Sequence, residues 1–181
     1  MTKTLAGRRI LVTQAADFMG PTLCEVLAEH GADIVASRAP LSEPTAPASI
    51  VASAGPIDVL IANLALPAPS TPALEVLDTE WREVFAALVD PLPKLLQAVL
   101  PGMLERGRGK VIVIGSASAL RGMRRASTYS AARGAQLSYV QAVGVEFANQ
   151  NIEGNAIAQN FVDNPMYCPA EVQANPRFQE R

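Results

Sequence analysis

Short runs of apolar, β-branched residues alternate along the chain with longer segments whose apolar residues recur at helical spacing. The first run, residues 9–13, reads Arg-Ile-Leu-Val-Thr and has the composition of a buried strand. In the segment that follows, Leu23, Val26 and Leu27 share one helical face, and Gly31 stands where a helix ends. The whole pattern predicts strands at 9–13, 33–37, 58–62, 111–114 and 154–158, and helices at 19–30, 49–54, 79–89, 92–104 and 128–148.

Strands that alternate with helices form βαβ units, which have parallel strands and right-handed crossovers. The sequence therefore predicts an α/β protein built on a parallel sheet. Two proline-rich segments, 38–49 and 66–72, interrupt the pattern, and we expect both to be loops. The basic segment 106–110 is expected to be a solvated turn before the fourth strand.

Composition narrows the classes of function. The chain has 181 residues, 49% of them apolar and 18% charged, with a net charge of −2. This length predicts a single domain, residues 1–181, and the small net charge argues against nucleic-acid or membrane partners. One histidine, His30, and two cysteines, Cys24 and Cys168, are too few for a usual zinc site, so no metal is expected. Without a disulfide framework, a signal-peptide pattern or a long apolar run, we expect a soluble, cytoplasmic protein.

Residues 13–20 follow the first strand, at the end of the sheet where open parallel sheets bind ligands. This turn resembles the T-G-x-x-x-G-[IL]-G turn of the short-chain dehydrogenase/reductases. Thr13 and Gly20 are in register, but Gln14 and Phe18 replace the other two glycines. Those glycines let the backbone approach a pyrophosphate at a helix N-terminus. A phenyl ring at position 18 would occupy space that a nicotinamide dinucleotide needs, so we expect no cofactor.

A serine, a tyrosine and an arginine form the candidate catalytic group. Ser116 follows the fourth predicted strand, and Tyr129 and Arg133 lie four residues apart, on one face of a helix. This resembles the dehydrogenase/reductase active site, except that arginine replaces the lysine of Y-x-x-x-K. A guanidinium stays protonated, and a cation beside a phenol favours the phenolate, which would make Tyr129 a general base. Each residue alone is more often structural, as a surface pair or a turn cap, but the combination predicts catalysis.

Further positions separate the chain from the dehydrogenases. In the dehydrogenases an asparagine precedes the fourth long strand, and here Leu88 stands at that position. Their N-N-A-G motif corresponds to residues 62–65, and their usual P-G dipeptide corresponds to Gln159-Asn160. With Phe18 and Arg133, the chain resembles the halohydrin (haloalcohol) dehalogenases, which are related to the short-chain dehydrogenase/reductases but use no nicotinamide. The resemblance runs from about residue 8 to residue 181. It implies a Rossmann-like, doubly wound parallel sheet.

The resemblance also implies a reaction, the closure of vicinal haloalcohols to epoxides with release of halide. The reverse opening of epoxides by halide, cyanide or azide is implied as well. Tyr129 would take the hydroxyl proton, Ser116 would hold the substrate oxygen, and Arg133 would keep Tyr129 ionised. The residues implied in halide and substrate binding are Phe18, Gln159, Asn160, Phe161, Val162 and Tyr167.

Two alternatives remain open, an NAD(P)-dependent short-chain dehydrogenase/reductase and a non-catalytic truncated scaffold. The family resembled is longer, so we expect its C-terminal strand and helix to be missing here and the sheet edge beside 154–158 to be unpaired. A less stable protein than a full-length relative is then expected. Helices 92–104 and 128–148 carry apolar or small residues on more than one face, which favours assembly. The resemblance implies a homotetramer.

Overall fold

A single parallel sheet forms the centre of the protein. The computed structural model describes residues 3–162 and 170–174. The five strands are β1 (Arg9–Val12), β2 (Asp33–Ala36), β3 (Val59–Ala62), β4 (Gly109–Ile114) and β5 (Ile152–Ile157). Their order across the sheet is β2-β1-β3-β4-β5, and all four pairings are parallel. The predicted doubly wound α/β fold is confirmed.

Helices connect the strands and cover both faces of the sheet. They are α1 (Gly20–Glu29), α2 (Ala46–Ala54), α3 (Asp78–Leu88), α4 (Pro91–Glu105), α5 (Ser118–Arg121), α6 (Ser127–Glu146) and α7 (Ala170–Gln173). The loop predicted over 38–49 is wrong in its last part, because α2 already begins at Ala46. Pro47 lies in the first turn of α2, where no backbone N–H is needed and the fixed φ of proline suits the helix. The short helix α5 has no counterpart in the sequence prediction.

The strands bury alternate residues on opposite faces of the sheet. Leu11, Leu60 and Val111 contribute to the larger core, which includes residues of α4 and α6. Ile10 and Val12 point to the other face, where α1 packs. Because both faces are covered, the strands are nearly continuous apolar runs, as the sequence shows.

The segment Asp78–Glu105 is long and apolar enough, by length and composition alone, to cross a membrane. In the structure it forms two helices, α3 and α4, and 44% of its most apolar window is buried inside the protein. Core helices of α/β proteins have this same composition, so the segment is weak support for a membrane span.

Among the described residues, β5 forms one edge of the sheet. There, β5 pairs with β4 and with no other strand. Gly154 of β5 and Gly144 of α6 allow close packing behind this edge. A Cβ on Gly154 would lie 2.6 Å from the carbonyl oxygen of Val140 in α6. The backbone of α6 therefore lies almost directly on β5, which fixes the helix that carries Tyr129 and Arg133.

Candidate active site

A cavity of about 280 Å³ lies at the carboxyl ends of β1, β3, β4 and β5. The chain winds to opposite sides from β1, and a crevice forms where the winding direction changes. Seven of the predicted site residues line this cavity: Phe18, Ser116, Tyr129, Arg133, Asn160, Phe161 and Val162. The other lining residues are Ala65, Leu66, Pro67, Ala68 and Met123.

The two remaining predicted residues have different outcomes. Gln159 does not line the cavity, contrary to expectation. Its backbone carbonyl instead accepts a hydrogen bond of 2.7 Å from the amide of Ala117, which ties the loop after β5 to the serine segment. Tyr167 lies outside the described residues, as does Cys168.

Ser116 is held at the cavity by the strand pairing before it. The amide of Gly115 donates to the carbonyl of Ile157, at 2.9 Å, and extends the β4–β5 ladder as far as the serine. The Oγ of Ser116 accepts a hydrogen bond of 3.2 Å from the amide of Ser118. Because this bond uses a lone pair of the hydroxyl, the hydroxyl proton remains available for a bound oxygen.

Tyr129 and Arg133 are neighbours on α6, as the spacing predicts. The guanidinium carbon of Arg133 lies 4.9 Å from the centroid of the Tyr129 ring, so the cation covers the face of the phenol. Arg133 is only 2% exposed. Its Nη1 donates to the carbonyl of Ile114 and to Oε1 of Gln136, both at 2.9 Å.

Both acceptors of Arg133 are neutral. The three ion pairs found among the described residues do not include Arg133. A buried cation without a carboxylate partner is costly, and its field favours a negative charge nearby. The ring of Tyr129 lies directly against this uncompensated cation.

The turn after β1 keeps the backbone of a glycine turn without its glycines. Gln14 and Phe18 both have positive φ, 43° and 50°. Residues with a Cβ adopt this region at a cost of roughly 1–2 kcal/mol each. Gly20, which is retained, allows α1 to start against the preceding turn, since a Cβ there would lie 2.7 Å from backbone atoms of Ala15. Gln14 and Phe18 therefore hold a backbone conformation that glycine adopts more readily.

Asn63, which sequence reasoning did not select as a site residue, holds this turn. Its Nδ2 donates to the carbonyls of Gln14 and Asp17, at 3.0 and 2.9 Å, and its side chain is buried. The backbone amide of Asn63 also donates a hydrogen bond of 3.1 Å to the hydroxyl oxygen of Thr13. The signal was present, because Asn63 is a retained member of the N-N-A-G segment.

Arg121 is a second residue that the sequence did not indicate. From α5 its Nη2 donates to Oδ1 of Asn160, in the loop that follows β5. This bond joins the two segments that flank Ser116 at the mouth of the cavity. No cluster of three or more potential metal ligands occurs in residues 3–162 and 170–174.

Glu80 connects α3 to the start of α6, next to Tyr129. The hydroxyl of Thr128 donates to Oε1 of Glu80 over 2.6 Å. Hydrogen bonds from Thr128 and then Thr71 lower the pKa of Glu80 below its ordinary value, because they stabilise the carboxylate. A carboxyl whose pKa is lowered by folding adds stability above its unfolded pKa of about 4.3, and that stability is lost as the pH falls further.

We therefore expect Glu80→Gln to reduce the acid sensitivity of the fold. Thermal unfolding at pH 7 and pH 3 should show a smaller drop in Tm for the variant than for the unmodified protein, because the amide does not titrate. Glu83→Gln, an exposed position on the same helix, serves as the control and should keep the full drop. An equal drop in Glu80→Gln and Glu83→Gln would contradict the assignment.

Comparison with known proteins places the chain in a family. The family described as short chain dehydrogenase matches residues 42–174. The 5-keto-D-gluconate 5-reductase of Escherichia coli (strain K12) is 31% identical, over 90% of this chain and 75% of the reductase. The 2-keto-3-deoxy-L-fuconate dehydrogenase of Xanthomonas campestris is 29% identical, over 89% of this chain and 60% of that enzyme. The chain thus spans between about three fifths and three quarters of these relatives.

Among solved structures, one titled "Dehalogenation enzyme" is similar, with a TM-score of 0.88 and 28% identity. The similarity covers 98% of this chain and 82% of that one. The match over residues 42–174 takes in most of the sheet, the serine segment and the Tyr129–Arg133 pair. The chain belongs to the short chain dehydrogenase family.

Proposed function

We propose that this protein is a halohydrin dehalogenase that closes vicinal haloalcohols to epoxides without a nucleotide. The observation that carries the proposal is the position of Phe18. Its side chain stands where the family's turn has a glycine, and it lines the same cavity as Ser116, Tyr129 and Arg133. The similarity to the solved dehalogenation enzyme supports the proposal.

The residues of the first turn do not fit a nicotinamide dinucleotide. The family's glycines leave the turn open so that a pyrophosphate can approach the backbone. Here the side chain of Gln14 crosses to the segment after β3, where its Oε1 accepts a hydrogen bond of 2.8 Å from the amide of Ala65. Together with Phe18, which lines the cavity, Gln14 puts side-chain atoms where the family's turn has glycines. No step of the proposed reaction uses a dinucleotide.

The first step is a proton transfer from the substrate hydroxyl to Tyr129. The hydroxyl proton of Ser116 is available for the substrate oxygen and holds it in place. Arg133 covers the Tyr129 ring and favours the phenolate, which takes the proton as the general base.

The second step is an intramolecular displacement. As the O–H bond breaks, the oxygen electron pair forms a bond to the neighbouring carbon, and the carbon–halogen bond breaks with its pair leaving as halide. Nucleophile and leaving group sit on adjacent carbons, so the enzyme needs only to orient one molecule. The products are an epoxide, a halide ion and the proton on Tyr129, which returns to solvent.

The departing halide would be received between Phe18 and the loop 160–162. These residues line the cavity from the turn after β1 and from the loop after β5. A weakly hydrated anion is suited to the positive edge of an aromatic ring and to backbone N–H groups. The small haloalcohol, the epoxide and the halide are therefore the proposed ligands.

A direct test is the release of chloride and protons from 1,3-dichloro-2-propanol by the purified protein. We expect both in equal amounts, with no nucleotide added. In parallel, titration with NADH, followed by nucleotide fluorescence, should give no binding in the micromolar range. Micromolar NADH binding without chloride release would overturn the proposal. Neither binding nor release would favour the non-catalytic scaffold.

An NAD(P)-dependent oxidoreductase is the second candidate, and the curated relatives favour it. The compared relatives from Escherichia coli and Xanthomonas campestris carry the names of a reductase and a dehydrogenase. Thr13 and Gly20 of the nucleotide turn are also retained. Titration with NADPH as well as NADH separates the two candidates, since the oxidoreductase requires binding of one of them and the dehalogenase requires neither.

A further inference from the structure

Gln136 is a polar residue in the core directly behind the candidate site. It lies three residues after Arg133 on α6, so the two side chains share a helical face. Gln136 is 0% exposed. A buried amide must satisfy its hydrogen bonds within the protein, because an unpaired one costs about 1–3 kcal/mol.

Both ends of the Gln136 amide are used. Its Oε1 accepts the 2.9 Å hydrogen bond from Nη1 of Arg133, and its Nε2 donates to the carbonyl of Leu88. Leu88 is the last residue of α3, and the final carbonyls of a helix have no partner within that helix. Since the carbonyl of Leu88 can only accept, it fixes which end of the amide faces Arg133.

The amide therefore holds the guanidinium without cancelling its charge. Nη1 of Arg133 is fixed between the carbonyl of Ile114, at the end of β4, and Oε1 of Gln136. This holds the cation over the ring of Tyr129. A carboxylate at position 136 could make the same hydrogen bond, but it would neutralise the arginine.

We propose that Gln136 is a positioning residue that holds Arg133 as an uncompensated cation against Tyr129. The inference rests on the proposed function, in which Tyr129 acts as phenolate. Gln136 does not touch the cavity and acts only through Arg133. Its role separates into two parts, the hydrogen bond that orients the guanidinium and the neutrality that preserves its charge.

Two variants test these parts separately. Gln136→Met removes the hydrogen bond and keeps the charge of Arg133 uncompensated. It should lower kcat about tenfold with little change in KM, since a misplaced group weakens the reaction more than binding. Gln136→Glu keeps an acceptor and adds a negative charge. The acidic limb of its kcat/KM profile should move to higher pH by about one unit, because a second anion opposes the phenolate.

A spectroscopic titration follows the ionisation of Tyr129 directly, without substrate turnover. The near-ultraviolet difference band of tyrosinate at Tyr129 is isolated by subtracting the titration of Tyr129→Phe. In Gln136→Glu this band should appear at higher pH than in the unmodified protein. Gln141→Met, an exposed position on the same helix, is the matched control and should change neither kinetics nor titration.

The outcomes are distinguishable from a failure of the proposed function. Without chloride release by the unmodified protein, the dehalogenase proposal fails, yet the tyrosinate titration still tests Gln136. The positioning role is overturned if kcat of Gln136→Met stays within twofold of the unmodified value and the titration of Gln136→Glu is unchanged. If Gln136→Glu does not fold, Gln136→Met decides alone. If neither variant folds, Gln136 is required for folding itself, and the positioning role is also overturned.

Discussion

Tyr129→Phe is expected to lose at least about 100-fold in the rate of halide release, because the variant has no group that can accept the hydroxyl proton. The ring, its packing and the cation–π contact with Arg133 stay in place, since only the oxygen is removed. Chloride release from 1,3-dichloro-2-propanol under saturating substrate measures the effect. Affinity for the substrate should change far less than kcat.

Tyr139→Phe is the matched control for this experiment. Tyr139 lies on the same helix, packs against the larger core and does not line the cavity. Burial and the nearby carboxylate of Glu146 raise the pKa of Tyr139, so this phenol stays neutral at working pH. We expect the control to retain its activity. Equal activity of Tyr129→Phe and the unmodified protein would refute the role of Tyr129 as the base.

Gly154→Ala is expected to be the most destabilising single methyl addition tested. The new Cβ would lie 2.6 Å from the carbonyl oxygen of Val140 and 3.0 Å from the amide nitrogen of Gly144. Both are backbone atoms of α6, so the helix must move away from β5. Overpacking of this kind costs ~3 kcal/mol at the upper end of the usual range. For a domain of this size that is a drop in Tm of roughly 6–12 °C.

Thermal unfolding, monitored by circular dichroism, measures this effect. Gly134→Ala is the control, for which a change of opposite sign is expected. Gly134 is also on α6, but a Cβ there would meet no heavy atom within 4 Å. Alanine is a better helix former than glycine, so this variant should gain ~0.5–1 kcal/mol. A Tm for Gly154→Ala within 1 °C of the unmodified protein would show that α6 and β5 can separate easily. In that case the helix could not hold Tyr129 and Arg133 as rigidly as proposed.

Much of the fold could be predicted because its signals are local. All five strands and the five longest helices were predicted, although β5 begins two residues before the predicted 154–158. The pairing of Tyr129 with Arg133 was also predictable, since residues four apart on a helix are neighbours. Pro47 was misinterpreted as part of a loop because proline disrupts the interior of a helix but not its first turn.

The contacts that the sequence did not indicate join segments far apart in the chain. Gln136 binds the carbonyl of Leu88, and Asn63 binds the carbonyl of Gln14, across 48 and 49 residues. No spacing rule connects such positions, because a side chain can reach whichever backbone group the packing brings near. The resemblance predicted that Gln159 lies in the pocket. Gln159 does not line the cavity, and its backbone carbonyl accepts a hydrogen bond from the amide of Ala117.

The turn after β1 combines features that can be read from the sequence with features that only the tertiary structure shows. The sequence by itself determined that Gln14 and Phe18 replace two glycines, and so changed the chemistry expected at the first strand. Only the tertiary structure decided that these residues keep a positive φ and that Phe18 lines the cavity with Tyr129. The backbone path is held by Asn63, which follows the neighbouring strand β3 and whose hydrogen bonds help to offset the strain. Residue identity is a local property, but a strained conformation persists only where distant parts of the fold support it.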